Sequence, residues 1–144
     1  MDVTAHIVVP DAAEASAWYA NAFGAHELSR IPLPGDKVMT VALAFGDSVV
    51  HVGSEFPAMG IVSPLTLGGT AAVLQLNTDD ADALWSRALD AGAQARGELA
   101  DAFWGERHGQ LTDPFGHRWN VAQRLRDVPQ EEIVAAAGRA FGGG

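Results

Sequence analysis

Apolar positions along this chain fall into two patterns that are each used twice. The run Ile7-Val8-Val9 leads through Pro10-Asp11 to Ala15, Trp18, Tyr19, Ala22 and Phe23 at helical spacing, closed by Gly24. The run Val73-Leu74-Gln75-Leu76 leads through Asn77-Thr78-Asp79 to Ala81, Leu84, Trp85, Ala88 and Leu89, closed by Gly92. Spacings of three and four residues put each set on one face of a helix. Asp11 and Asp79 suit helix N-caps, where a carboxylate accepts free backbone N–H groups, and Gly24 and Gly92 suit the left-handed residue that ends a helix. Extended runs follow each helix. In the first half they are Glu27 to Leu33, Lys37 to Phe45 and Ser48 to Gly53, separated by turn residues at Pro34-Gly35-Asp36 and Gly46-Asp47. In the second half they are Gln94 to Leu99, Arg107 to Thr112 and His117 to Gln123.

The pattern therefore predicts a strand, a helix and three more strands, written twice. The first module spans about 1–56 and the second about 70–125. A Pro- and Gly-containing linker, Ser54 to Gly69, joins them. A last helix is predicted over Pro129 to Phe141, with Pro129 in its first position, followed by a disordered Gly142-Gly143-Gly144 tail.

Composition narrows the function. A chain of 144 residues suits one domain with a real core. Eighteen acidic against nine basic residues give a net charge of −9, which argues against nucleic acid or an anionic membrane as partner. The absence of cysteine excludes disulfides, thiol nucleophiles and thiolate metal ligands. No basic and apolar leader and no apolar run of membrane-spanning length is present, so a cytoplasmic protein is expected. Gly68-Gly69-Thr70 lacks the spacing and the lysine of a phosphate-binding loop.

The most specific stretch is Phe103-Trp104-Gly105-Glu106-Arg107-His108-Gly109, followed by Asp113-Pro114-Phe115-Gly116-His117-Arg118-Trp119-Asn120. Asp-Pro-Phe-Gly is turn chemistry between two extended runs, so the segment reads as a β-hairpin. The string resembles the signature of the glyoxalase/bleomycin-resistance, or vicinal oxygen chelate, family, and within it the PhnB-like branch. The resemblance covers about Thr4 to Gln123. It implies an α+β fold in which two β-α-β-β-β modules form a curved mixed sheet around a central cleft, here with a C-terminal helix. It also implies a homodimer.

The same resemblance implies a metal site. Enzymes of the family hold a divalent ion through one side chain from each of the first, fourth, fifth and eighth strands, usually His, Glu or Gln. Carried onto this chain, those positions are Thr4, His51, Val73 and Asn120. Only His51 is a good ligand, and Asn120 stands where the family often has a glutamate that binds the ion. A neutral amide is a weak ligand and cannot act as a general base.

Neighbouring residues offer substitutes. His6 shares a strand face with Thr4, and Gln75 shares one with Val73 and Asn77. Each either walls the cleft or holds an ion displaced along the strand. The facing of His51 has two readings. It lies five residues beyond Gly46, whereas Asn120 lies four beyond Gly116, which turns the two side chains to opposite faces if the hairpins are equivalent. The family alignment turns His51 inward.

Trp104, in its glycine-flanked loop, suits stacking on a flat ligand or packing beneath the loop. Glu106 and Arg107 suit pairing with each other or with that ligand. Trp119 is expected to face the helices, Trp18 and Trp85 to lie in the core, and His108 and His117 to be solvated beside turns.

These readings predict a small-molecule binder without an intact metal site or other cofactor. It would hold a flat or hydrophobic molecule, with a drug-sequestering role, through His6, Gln75, Trp104, Glu106 and Asn120. The alternative is a divalent-metal-dependent glyoxalase, isomerase or dioxygenase whose shifted ion rests on His6, His51 and Gln75.

Overall fold

The computed structural model describes residues 1–142. Its first module is β1 (Ala5–Val9), α1 (Ala12–Phe23), β2 (His26–Pro32), β3 (Val38–Phe45) and β4 (Ser48–Ser54). The second is β5 (Val73–Asn77), α3 (Ala81–Asp90), β6 (Gln94–Asp101), β7 (Glu106–Thr112) and β8 (Arg118–Arg124). The linker holds a short 3-10 turn, Pro57–Met59, and the one-turn helix α2 (Pro64–Leu67). The chain ends in α4 (Gln130–Phe141). Each module forms a four-stranded mixed sheet, ordered β1-β4-β3-β2 and β5-β8-β7-β6, so the strand-helix-three-strand duplication is real. Among the described residues no helix is long and apolar enough to cross a membrane.

One face of each sheet carries the helices and the core. Alternation sorts β3 and β4 cleanly: Val41, Leu43, Val50 and Val52 are buried on the helix side. Across the junction, Tyr19 and Phe23 of α1 pack on Phe45 of β3 and on Trp119 of β8 in one aromatic cluster. Polar bonds fasten the same junction. The Trp18 indole donates to the Ala91 carbonyl (2.8 Å), and the Arg87 guanidinium donates to the carbonyls of Asn21 (2.6 Å) and Ala20 (3.2 Å). Trp18, Trp85 and Trp119 all belong to the core, as their spacing suggests.

The two modules are less alike than the sequence implies. Asp11 caps α1, accepting from the amides of Ala13 and Glu14, but α3 is capped by Asp80 rather than Asp79. The cause lies in β5: the Thr78 amide still bonds to Ala122 of β8 at 2.9 Å, which keeps the chain extended one residue longer. At the far end, Pro129 is the N-cap of α4 with an extended ψ of 145°, not its first helical residue. Of the expected Gly tail, Gly143 and Gly144 lie outside the described residues.

Candidate functional site

The sheet faces turned away from the helices are open and carry most of the polar strand residues. Register fixes which side chains share a rung, because directly opposed residues point to the same face. In the first module His6 pairs with His51, and His51 with Ala42. The two imidazoles stack with centroids 4.6 Å apart and planes 9° from parallel. His51 therefore shares the open face with His6. The count from the turn glycines misleads because the hairpins differ: Phe45 pairs with Ser48 across a two-residue turn, whereas Thr112 pairs with Arg118 across a five-residue loop.

In the second module Gln75, Asn120 and Gln110 share one rung across β5, β8 and β7. Their side chains form a directed row. Gln110 donates to Asn120 Oδ1 (3.0 Å), Asn120 donates to Gln75 Oε1 (3.3 Å), and Gln75 donates to Asn77 Oδ1 (3.0 Å). Gln110 is a member that sequence reading missed; its parity with Glu106 and His108 along β7 is the signal that places it. The next rungs carry Ala122 with His108 and Asn77, then Arg124 with Glu106. On the neighbouring β6, Gly97 and Ala100 oppose Gln110 and His108, so the floor beside the amide row is made of small residues.

The motif in β7 and its leading loop explains the edge of this floor. Gly105 has φ +95°, and a Cβ there would lie 2.3 Å from the Arg126 carbonyl oxygen, so only glycine fits. A Cβ on Gly109 would stand 2.8 Å from the Trp85 ring, on the helix side. Between these glycines the strand alternates. Arg107 turns to the helix side and pairs with Asp82 and Asp101, both at 3.0 Å, rather than with Glu106. Glu106 and His108 turn to the open face and meet Trp104. The indole Nε1 donates to Glu106 Oε1 (2.6 Å), and the indole stands edge-on to the His108 ring at 5.1 Å. His108 is thus packed rather than simply solvated. A hollow of about 340 Å³, bounded by Asn77, Asp79, Glu106 and Arg124, adjoins this corner.

The duplicated frame gives each module an equivalent pair of positions. His6 lies five residues before the α1 cap and Gln75 five before the α3 cap, with His51 and Asn120 as their partners. His6, His51, Gln75 and Asn120 thus hold equivalent places in the two modules; Thr4 precedes β1 and Val73 lies one rung from Gln75, beside this set. These residues fit a divalent ion poorly. Ligand lone pairs must converge on a point about 2.1 Å from each nitrogen, and nearly parallel stacked rings do not offer that. The oxygens of Gln75 and Asn120 already accept hydrogen bonds within the amide row. Among the described residues no group of three or more His, Cys, Asp or Glu side chains is placed to hold a metal ion.

The Asp-Pro-Phe-Gly turn is structural. Asp113 is 4 % exposed and accepts from the amides of Phe115 (2.9 Å) and His117 (3.0 Å), the Trp119 indole (2.9 Å) and the Tyr19 hydroxyl (2.5 Å). Burial, and then the Asp113 charge, push the Tyr19 hydroxyl well above its ordinary pKa. His117, expected to be solvated, is buried, and its Nε2–H donates to the Val8 carbonyl at 2.7 Å. That carbonyl lies on β1, which stands at the edge of its sheet beside β4, so the imidazole satisfies an acceptor on an edge strand.

Comparisons with known proteins agree with this architecture. The chain is 42% identical over 134 residues to an uncharacterized protein of Mycobacterium bovis (strain ATCC BAA-935 / AF2122/97), covering 91% of this chain and 88% of that one. Among solved structures it resembles TioX from Micromonospora sp. ML1, with a TM-score of 0.69 and 25% identity over 87% of this chain and 99% of that one. It also shares the fold of TnmS3, an antibiotic binding protein from Streptomyces sp. CB03234, with a TM-score of 0.56 and 22% identity over 86% of this chain and 97% of that one. The model of the glyoxalase/bleomycin resistance protein/dioxygenase superfamily matches residues 2–121. On that match and on its paired modules, this chain belongs to the glyoxalase/bleomycin resistance protein/dioxygenase superfamily.

Proposed function

We propose that this protein binds a small, flat, largely apolar molecule on the open face of its second module and holds it without metal chemistry, as a sequestering protein does. The observation that carries the reading is the corner formed by Trp104, Glu106 and His108 beside the amide row of Gln110, Asn120, Gln75 and Asn77. The indole, half-buried and fixed through Nε1, supplies a rigid aromatic edge. Gly97 and Ala100, both exposed, leave room for a ring to lie flat, and the amides supply donors and acceptors that orient it. Relatedness in fold to an antibiotic binding protein supports a drug-like ligand. A homodimer in which a second copy covers the open faces fits the full exposure of β2.

Titration with a planar dye such as acridine orange, followed by calorimetry, tests the reading. Trp104→Ala is expected to weaken binding by roughly 1–3 kcal/mol. Unchanged affinity removes Trp104 from the site. A second reading, a metal-dependent glyoxalase, isomerase or dioxygenase, rests on the placement of His6 and His51 on one rung and needs the two rings to turn out of their stack. Stoichiometric Ni, Zn, Fe or Mn in protein purified without chelator, lost in His51→Ala, decides for that second reading.

A further inference from the structure

At the other end of β8 from the Trp104 corner, a second cavity of about 330 Å³ lies where β1, the end of the linker and the start of β8 meet. Its walls are mostly apolar, including Ile7, Val62, Leu67 and Leu74. Its polar side is entirely basic or neutral: Arg118, His6, His117 and Thr70 line it, and no carboxylate does. That is unusual in a chain with twice as many acidic as basic residues. His117 is already committed to the Val8 carbonyl. Arg118 is half-buried on the rung shared with Thr112 and Val73, and among the described residues it makes no ion pair or side-chain hydrogen bond. A guanidinium carries a fork of donors matched to a carboxylate. One left unpaired at the lip of an apolar cavity is complementary to a molecule with a short hydrocarbon body and an anionic head.

We propose that this cavity is a separate binding site for a compact apolar carboxylate, the tail against Leu67 and Leu74 and the carboxylate on Arg118. The site is distinct from the Trp104 corner, and Arg118 stands on the rung next to Asn120, at the opposite end of the amide row. Arg118 and Arg124, which shares the rung of Glu106, stand six residues apart on β8, about 20 Å at the rise of a strand. A cavity of this volume is at the small end of ligand sites, so the fitting class is a medium-chain or single-ring acid, not a large lipid.

Calorimetric titration of the intact protein with octanoate, octan-1-ol and octylamine tests this. Octanoate is expected to bind at one site per chain, at least about tenfold more tightly than the alcohol, as a charge-assisted hydrogen bond provides, and the amine not at all. Arg118→Gln should abolish the preference for the acid while leaving alcohol binding and the urea midpoint unchanged. Trp104→Ala should leave octanoate binding unaltered. Equal binding of acid and alcohol, or an acid whose affinity survives Arg118→Gln, overturns the assignment. So does an acid whose affinity falls only with Trp104→Ala, which would put it at the far end of β8 and leave the proposed function standing.

Discussion

Replacing Asp113 tests whether the family motif works as a clamp between modules. Its carboxylate takes four hydrogen bonds, two from the backbone of its own turn and two from the Tyr19 hydroxyl and the Trp119 indole. Asparagine keeps Oδ1 for the turn amides but presents an N–H₂ group in place of Oδ2. That group can donate to the Tyr19 oxygen, yet it opposes the Trp119 N–H. One buried donor left unsatisfied costs about 1–3 kcal/mol, and exchanging a charged acceptor for a neutral one weakens the turn bonds by about another 1 kcal/mol. Asp113→Asn should therefore lose about 2–4 kcal/mol. Asp113→Ala strands all four donors and should lose about 4–6 kcal/mol, a large part of the total for a domain with ~5–15 kcal/mol of stability. Urea unfolding followed by tryptophan fluorescence measures both, with a fall in midpoint at constant m-value as the expected signature. If Asp113→Asn lies within about 0.5 kcal/mol of the parent, as ordinary surface changes do, the desolvation of the buried carboxylate cancels its bonds and the clamp argument fails.

Two further outcomes follow from named contacts. Gly109→Ala places a methyl 2.8 Å from the Trp85 ring and 3.0 Å from the Leu99 Cα, and should lower stability by about 1–3 kcal/mol, whereas Gly97→Ala meets nothing within 4 Å and should change it little; equal thermal midpoints for the two variants would contradict the packing described. Tyr19 holds its proton more tightly when folded than when unfolded, because burial and then the Asp113 charge raise its pKa. Above about pH 10 the unfolded chain releases that proton first, so stability is intact below that pH and falls as pH rises, by up to about 1.4 kcal/mol per unit. Tyr19→Phe should flatten this alkaline slope in urea titrations at successive pH values, and a slope that persists unchanged would assign it to other groups.

Much of the architecture was legible because the two periods survive in the apolar residues. Tyr19 and Phe23 keep helical spacing, and Trp119 and Asn120 sit on opposite faces simply by alternating. What was not legible depends on register between distant strands. The facing of His51 was ambiguous because hairpin length, not turn composition, decides it: two residues after Phe45 against five after Thr112. Gln110 carries no motif of its own and becomes part of the site only once β7 is aligned with β8. His117 looks like a turn residue, and its partner Val8 lies 109 residues away. The segment that identifies the family is also mostly structural. Gly105, Gly109 and Asp113 serve backbone clearance, Trp85 packing and the clamp, while Trp104, Glu106, His108 and Asn120 reach the open face.

The duplication makes a sharper point about chemistry. His6 with His51, and Gln75 with Asn120, are the same pair of positions in two copies of one frame. A frame of this kind can gather four donors around an ion only if both copies present lone pairs free to converge. In one copy the imidazoles lie flat against each other. In the other each amide oxygen already accepts one bond from a neighbouring amide, and the row continues outward to Gln110 and Asn77. A carboxylate at position 120 would accept from Gln110 and keep lone pairs for an ion, so the amide at 120 is what holds this rung to neutral hydrogen bonding. On the proposed reading, the interlocked amides act as a hydrogen-bonding surface for a molecule that brings its own shape and polar edge.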